Sequence, residues 1–466
     1  MRAMKHALLA ASFLAAVLAA PAVAAPTAAA AHTVKVCAAC VKAHMDYLAG
    51  DALRGRHCAS EDEHAAARYI EGELKKVRVA PGFGKDGYLQ AAKLSTPTEA
   101  RPPSVVVRAG ETALKWAQGA EMITSGESVS LSGPILRITA FDGPKPEFRG
   151  AVVFLDAPYN RKALSGLRNA GAKAVVTIVP PAMQAQWTQA AASMRPQIEV
   201  LGTGDPPAKP GAPTIMLTPE AAQALRALPA NARLDLDVAQ GKPRLEATYN
   251  VVGVIHGTAP NADHDAILLS AHYDHLGVRG GKIFHGADDD ASGTTAVLEF
   301  ARLLGQGAKP RRTVYFALFG CEESGGLGAR YFRARPPGAL SDLTANLEFE
   351  MIGLRDPKHP DELMLTGWER SNLGPTLAAH GARLGPDYYP EQNFFQRSDN
   401  YQLALKGVVA QTVGGWPTPP TYHDASDDLA HIDLPFMDEA IGSMLGPVQW
   451  LANSDFKPAW KAGQRP

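Results

Sequence analysis

Apolar positions along this chain follow three rhythms. Between Ser60 and Val77, the residues Ala65, Ala66, Tyr69, Ile70 and Leu74 recur on one helical face, with Glu61, Asp62 and Glu63 at the start, where the helix dipole favours negative charge. Ser60 and Glu63 together have the form of a capping box. Leu48, Leu53, Tyr88 and Leu89 flank this helix and predict a segment that packs on a later core rather than folding alone. From 97 to 245 the runs shorten and are punctuated by Gly and Pro; strands are predicted at 104–108, 133–138, 150–155 and 174–179, with a helix at 161–170. From 246 to 454 longer apolar strands alternate with amphipathic helices. That pattern predicts an α/β domain whose mixed, mostly parallel sheet carries helices on both faces. Residues 34–96 then read as the N-terminal segment of that domain, 97–245 as an insert, and 455–466 as a tail.

The polar residues that interrupt the third rhythm stand at informative places. Ligands of such sheets bind beyond the carboxyl ends of the strands. His272 and Asp274 follow the apolar run 266–270, Glu322 and Glu323 follow 313–319, Glu350 closes 347–351, and the loop after 408–413 leads to His423. Asp289 stands between Asp288 and Asp290 in the turn 286–293, opening a helix whose apolar face is Val297, Phe300, Ala301 and Leu304. Acids crowded together repel one another, and the helix dipole offsets only about 0.3–1 kcal/mol per charge. Cations are the better partner. Two imidazoles, three carboxylates and a spare glutamate are the inventory for two zinc ions about 3.5–4 Å apart, bridged by one carboxylate and sharing a water as nucleophile. Asp288 and Asp290 are expected to hold the loop and cap the helix. His275 and His285 are expected to support the site from outside or lie on the surface. Phe394, Phe395 and Trp416 are candidates either for lining a substrate pocket or for plain packing.

Composition narrows the partners. With 46% hydrophobic and 20% charged residues and a formal net charge of -1, nothing favours nucleic acid or an anionic membrane as partner. Arg2 and Lys5 precede the uncharged run 7–20 and then Ala22-Val23-Ala24, the form of a cleaved signal peptide over 1–24. The run is shorter than the roughly 20 residues that span a bilayer, so export to the periplasm or medium without a stable membrane anchor is expected. Disulfides then become the expected fate of Cys37 and Cys40. Cys58 is near enough in sequence to pair with one of them, whereas Cys321 reads as a small buried residue.

The motifs 271–277, 286–293, 321–325 and 350–353, together with Arg397-Ser398-Asp399 and Tyr422-His423, resemble the co-catalytic zinc aminopeptidase family, which includes aminopeptidases Y and S and glutamate carboxypeptidase II. The resemblance implies a zinc exopeptidase fold and an exported aminopeptidase acting on peptides with two Zn2+ per chain. It further implies that Asp289 bridges the ions, that His272 and Glu350 complete one position, and that Glu323 and His423 complete the other. Glu322 would be the general base, Asp274 would orient His272, Tyr422 would stabilise the oxyanion, and Arg397 would bind substrate or pair with Asp399. Familiar members have aspartate where this chain has Glu350. The stretch 150–155 followed by 162–176 resembles a β-rich protease-associated domain, which would shape or cover the cleft. Two other readings use the same scaffold: a glutaminyl-cyclase-like acyltransferase with a single zinc, and a binding protein without catalysis. The complete ligand set and the retained base argue against both.

Overall fold

Four strands, Val409–Gly414, Leu343–Glu350, Ala266–His272 and Val314–Phe319, lie side by side and parallel, in that order, at the middle of a ten-stranded sheet. The computed structural model describes residues 35–125, 128–185, 187, 198–205 and 212–466, so the leader expected at 1–24 lies outside the described residues. Every residue of Ala266–His272 is buried, as befits a strand covered on both faces. Its side chains alternate between layers. Ile267, Leu269 and Ala271 join a core with the helices Ala38–Leu48, Glu61–Lys76, Gly293–Gln306 and Leu434–Asn453, while Ala266 and Leu268 face Phe332, Leu403 and Ala404 on the other side. Away from this centre the sheet becomes antiparallel: Arg244–Ile255 runs against both Val314–Phe319 and Leu89–Thr96, and Leu363–Leu365 runs against Val409–Gly414. The fold is therefore mixed α/β. Leu48, Leu53 and Tyr88 are buried in the same core, so the N-terminal segment is part of this domain.

Thr96 and Arg244 face each other across neighbouring strands, and the chain between them builds a second sheet of eight strands from Glu99 to Gln240. Four of these, Val129–Ile138, Val152–Pro158, Ala174–Ile178 and Thr214–Leu217, are parallel in sequence order. Helix Arg161–Asn169 links the second to the third, and Asn160 caps it by accepting from the Ala163 N–H at 3.0 Å. This sheet has its own cores, one centred on Val107, Phe154, Ile215 and Leu234, the other on Phe148, Val153 and Leu167. One excursion returns to the first sheet. Glu199–Val200 pairs with Leu94 and Ser95, and Asp205 forms ion pairs with Arg333 at 2.5 Å and Arg330 at 3.6 Å on helix Leu327–Ala334.

Two local expectations are corrected. Ser60 does cap helix Glu61–Lys76, accepting from the Glu63 N–H at 3.2 Å, but the Glu63 carboxylate does not complete the box. It is fully buried, accepting from the Ala59 N–H at 2.7 Å and the Thr248 hydroxyl at 2.6 Å, because the helix start is pressed onto strand Arg244–Ile255. The cysteines pair as Cys37–Cys40 and Cys58–Cys321. Cys58 therefore reaches 263 residues along the chain rather than to its sequence neighbours, and Cys321 is a crosslink rather than a small filler. Among the described residues no helix is long and apolar enough to cross a membrane.

Candidate metal centre

The carboxyl ends of the parallel strands gather the acids and imidazoles into one cleft. His272 ends strand Ala266–His272, Glu350 ends Leu343–Glu350, and Glu322 and Glu323 occupy the turn after Val314–Phe319. Asp289 enters from the turn that opens helix Gly293–Gln306. Its two oxygens face different imidazoles: Oδ1 is 3.2 Å from His272 Nε2, and Oδ2 is 3.1 Å from His423 Nε2. His423 Nε2 is also 3.2 Å from Glu323 Oε1. Two metal-binding groups result, His272 with Asp289 and Glu350, and His275 with Asp289 and Glu323, each with ligand atoms within 4.8 Å of one another. Asp289 is shared by both.

The surroundings hold these groups in place by backbone contacts. Asp427, buried, accepts from the N–H groups of Asp288 at 2.8 Å and Asp289 at 3.1 Å. Asp290 accepts from Gly293 N–H and Met351 N–H, and Asp288 from Gly353 N–H at 2.7 Å, so these two acids tie the turn to the end of the Glu350 strand. Asp274 accepts from Glu322 N–H at 2.8 Å and Glu323 N–H at 3.3 Å. His272 Nδ1 lies 3.2 Å from the Asp274 carbonyl oxygen and 3.7 Å from its carboxylate, so the carboxylate chiefly fixes the glutamate turn while the main chain meets the imidazole. Behind the cleft sits Arg56, wholly buried. It donates to the carbonyls of Tyr273 at 2.6 Å, His285 at 2.7 Å, Gly286 at 2.9 Å and Leu48.

The electrostatics favour cations. Burial, reinforced by Asp399, Glu323 and Glu350 and opposed by His272, pushes the Glu322 carboxyl well above its usual range. Burial works against the imidazolium of His423, yet the carboxylates of Asp289 and Glu323 outweigh it and hold its pKa at about 10. Burial and the charge of Asp289 press Glu323 upward, but His275 and His423 draw it down to about 2. Several buried polar atoms still lack hydrogen-bond partners: His272 Nε2, both ring nitrogens of His275, and Glu323 Oε1. Groups this buried are normally paired, so unpaired nitrogens and oxygens aimed into one space fit metal ions.

Beside these groups a small pocket of about 40 Å³ is lined by Glu350, Met351, Met364, Phe394, Arg397, Pro417 and Tyr422, among others. Phe394 thus lines a pocket, whereas Phe395 is packed in the core. Arg397 Nη2 donates to the Tyr422 hydroxyl at 3.0 Å, and its guanidinium lies 4.9 Å from the Phe394 ring centroid. A salt bridge from Arg397 to Asp399 is not formed; Asp399 is buried apart, and neither of its oxygens has a hydrogen-bond partner. The Tyr422 ring stacks on His423 with centroids 4.0 Å apart. Sequence reading missed Arg56 and Asp427 and set His275 aside, although the fold buries His275 at 0% exposure beside Glu323. The repeat of His at 272 and 275 around Asp274 was the signal that could have found it.

Comparison with known proteins agrees with this geometry. Residues 250–445 match the family described as Peptidase family M28. Leupeptin-inactivating enzyme 1 of Streptomyces exfoliatus is 32% identical over 209 residues, 40% of this chain and 44% of that protein. The chain spans less than half the length of the curated relatives it matches. An aminopeptidase from Aneurinibacillus sp. strain AM-1 has a similar fold over 91% of this chain and 96% of its own, with a TM-score of 0.62 at 18% identity. A zinc aminopeptidase from Bacillus subtilis does so over 90% and 96%, with a TM-score of 0.56 at 17% identity. The cleft thus lies within the residues, 250–445, that match peptidase family M28.

Proposed function

We propose that this chain is an exported aminopeptidase that hydrolyses N-terminal residues from peptides at a two-zinc centre, with Glu322 as general base. The observation that carries this reading is the position of Asp289, whose two oxygens face His272 on one side and His423 on the other. His272 and Glu350 would hold one ion with Asp289, and Glu323 and His423 the other. Zinc in such a site supplies Lewis acidity, polarising a peptide carbonyl and lowering the pKa of a water. The chain's own residues do the rest. Glu322, on the turn fixed by Asp274, is placed to take a proton from the attacking water and return it to the departing amine. Tyr422, steadied by Arg397, offers a hydroxyl beside the ligands for the developing oxyanion. The apolar lining from Met351, Met364, Phe394 and Pro417 suits an apolar N-terminal side chain. Two disulfides support an oxidising compartment.

The test is elemental analysis paired with hydrolysis of aminoacyl-nitroanilides, before and after chelation and in Glu322→Gln. The expected result is two zinc ions per chain, chelator-sensitive activity, and about a 10²–10⁴-fold loss in the variant with both ions retained. Full activity in Glu322→Gln would remove that residue as the base. No release from any aminoacyl substrate by the zinc-loaded protein would overturn the aminopeptidase assignment.

A further inference from the structure

We infer that His275 is a fourth protein ligand of the metal position formed by Asp289, Glu323 and His423, so that the two positions of the centre differ in kind. This rests on the two-metal reading above and concerns the composition of one of its sites.

The spacing of the atoms is the first argument. His275 Nδ1 lies 2.9 Å from Glu323 Oε1 and 3.9 Å from Asp289 Oδ2, while His423 Nε2 lies 3.2 Å and 3.1 Å from the same two oxygens. Bonds of about 2.0–2.1 Å to zinc place neighbouring tetrahedral ligand atoms about 3.3 Å apart. The four nitrogen-to-oxygen separations match edges of one coordination shell, somewhat compressed on one side and stretched on another. The rings of His275 and His423 stand edge to face, with centroids 5.7 Å apart, so both approach the oxygens without stacking on each other.

The second argument is that the approach of His275 to Glu323 is close but not directed as a good hydrogen bond. At 2.9 Å, His275 Nδ1 and Glu323 Oε1 are close enough to bond, yet both are buried without a hydrogen-bond partner. An imidazole at 0% exposure is costly to leave in this state. A cation received by Nδ1 and the Glu323 oxygen together would give both of those atoms a partner, leaving only the far nitrogen of the ring without one.

The third argument is that the fold makes room for this ring. Gly286 has φ of 61°, and a Cβ built there would sit 2.3 Å from His275 Cγ. The same Cβ would sit 2.3 Å from the Asp289 carbonyl oxygen, so glycine at 286 admits both the ring and the turn that carries Asp289. The backbone of His275 is held from the opposite side, its N–H donating to the Arg56 carbonyl at 3.3 Å. The ring is thus seated between fixed main chain and the ligand oxygens.

The consequence is asymmetry. His272, Asp289 and Glu350 leave an ion with three protein ligands and an open place for water or substrate, the pattern of catalytic zinc, whereas four protein ligands close the other position in the pattern of structural zinc. The second ion would bind more tightly and act chiefly by holding Asp289 and Glu323.

The test uses the full-length mature protein and metal binding itself. The zinc-free protein is loaded with cobalt, and the shifted imidazole N–H protons of the ligands are counted by NMR; zinc affinities are measured by competition with a chromophoric chelator in the wild type, His275→Gln and His275→Asp. The wild type is expected to show three ligand imidazoles. His275→Gln should lose one of them and weaken one of two zinc steps by more than about 100-fold, beyond the roughly 10–100-fold that loss of a mere supporting partner costs. His275→Asp, which offers a carboxylate oxygen, should recover part of that affinity. Two imidazole signals in a wild-type protein that binds two ions would overturn the inference while leaving the aminopeptidase reading intact, and the wild-type count decides even where a variant fails to fold. Fewer than two ions in the wild type would overturn the two-metal reading itself, and this inference with it.

Discussion

The two sheets of this chain bury very different things. In the sheet of residues 99–240 the buried polar residues among those described are three threonines, Thr124, Thr177 and Thr214, and no charged side chain is buried. In the larger sheet the buried set includes Arg56, Glu63, His272, Asp274, His275, Asp288, Asp289, Asp290, Glu348 and Asp399. Apolar burial stabilises a fold directly, whereas buried charges cost several kcal/mol each unless paired. A chain that buries apolar groups almost alone in one region and a crowd of charges in another locates its chemistry in the second. The inserted sheet is organised for shape, and the parallel sheet for a centre that apolar packing alone would make more stable.

This contrast is sharpened most by removing the residue that both proposed metal positions share. Asp289→Asn is expected to release both ions and to lower kcat/KM by more than about 10⁴-fold, or beyond about 5.4 kcal/mol of transition-state stabilisation. Metal analysis beside kinetics reads this directly. Retention of two ions with near-normal turnover would show that the cluster is held together by its hydrogen bonds and not by cations. The next effect is structural. Arg56→Met removes a donor from four carbonyls and a buried positive charge that couples to Asp274, Asp427, Asp290 and Asp289, for an expected loss of about 3–5 kcal/mol by denaturant unfolding. A loss below about 1 kcal/mol would mean that the apolar surroundings can absorb the exchange.

The same contrast governs what could be read from the sequence. The strands that carry the candidate ligands were legible because a His or Glu placed directly after an apolar run of strand length sits at the sheet end where ligands bind, and in the structure His272 and Glu350 do end their strands. The strand bearing Glu350 starts at Leu343 rather than 347, since Leu343 and Ala345 are also buried but are interrupted by the polar Thr344 and Asn346. Arg56 was not legible. Nothing in a lone arginine near Gly55 announces that carbonyls from 48, 273, 285 and 286 will converge on it. Asp427 and the Cys58–Cys321 bridge share that property, because their meaning arises only when distant segments close on one another. His275 failed for another reason: its position was visible, but a sequence does not show which side of a turn its ring takes.

Smaller effects test how far the two regions are coupled. The Cys58–Cys321 bridge closes 263 residues, including the whole insert, and ends on the residue before Glu322. Replacing both cysteines by alanine is expected to cost about 2–4 kcal/mol by relaxing the unfolded chain, and to raise KM or lower kcat through the freed glutamate turn. If stability falls and kinetics do not, the bridge serves the fold alone.

The smallest expected effect is at Ile215, fully buried in the insert's core on strand Thr214–Leu217. Ile215→Val removes one methylene group and should cost about 0.5–1.5 kcal/mol. It should leave kcat/KM for small aminoacyl substrates unchanged, because the insert meets the helix behind the glutamate turn chiefly through the strand Glu199–Val200 and the ion pairs of Asp205 with Arg333 and Arg330. Those contacts are local, with Val200 joining a small apolar cluster of Leu94, Leu327, Cys58 and Cys321, and a cavity of one methylene within the core of an eight-stranded sheet gives them no reason to move. A change in kcat/KM at constant metal content would therefore mean that the insert's core and the cleft share one cooperative unit, and that the apolar packing of one sheet sets the geometry of the charged cluster in the other.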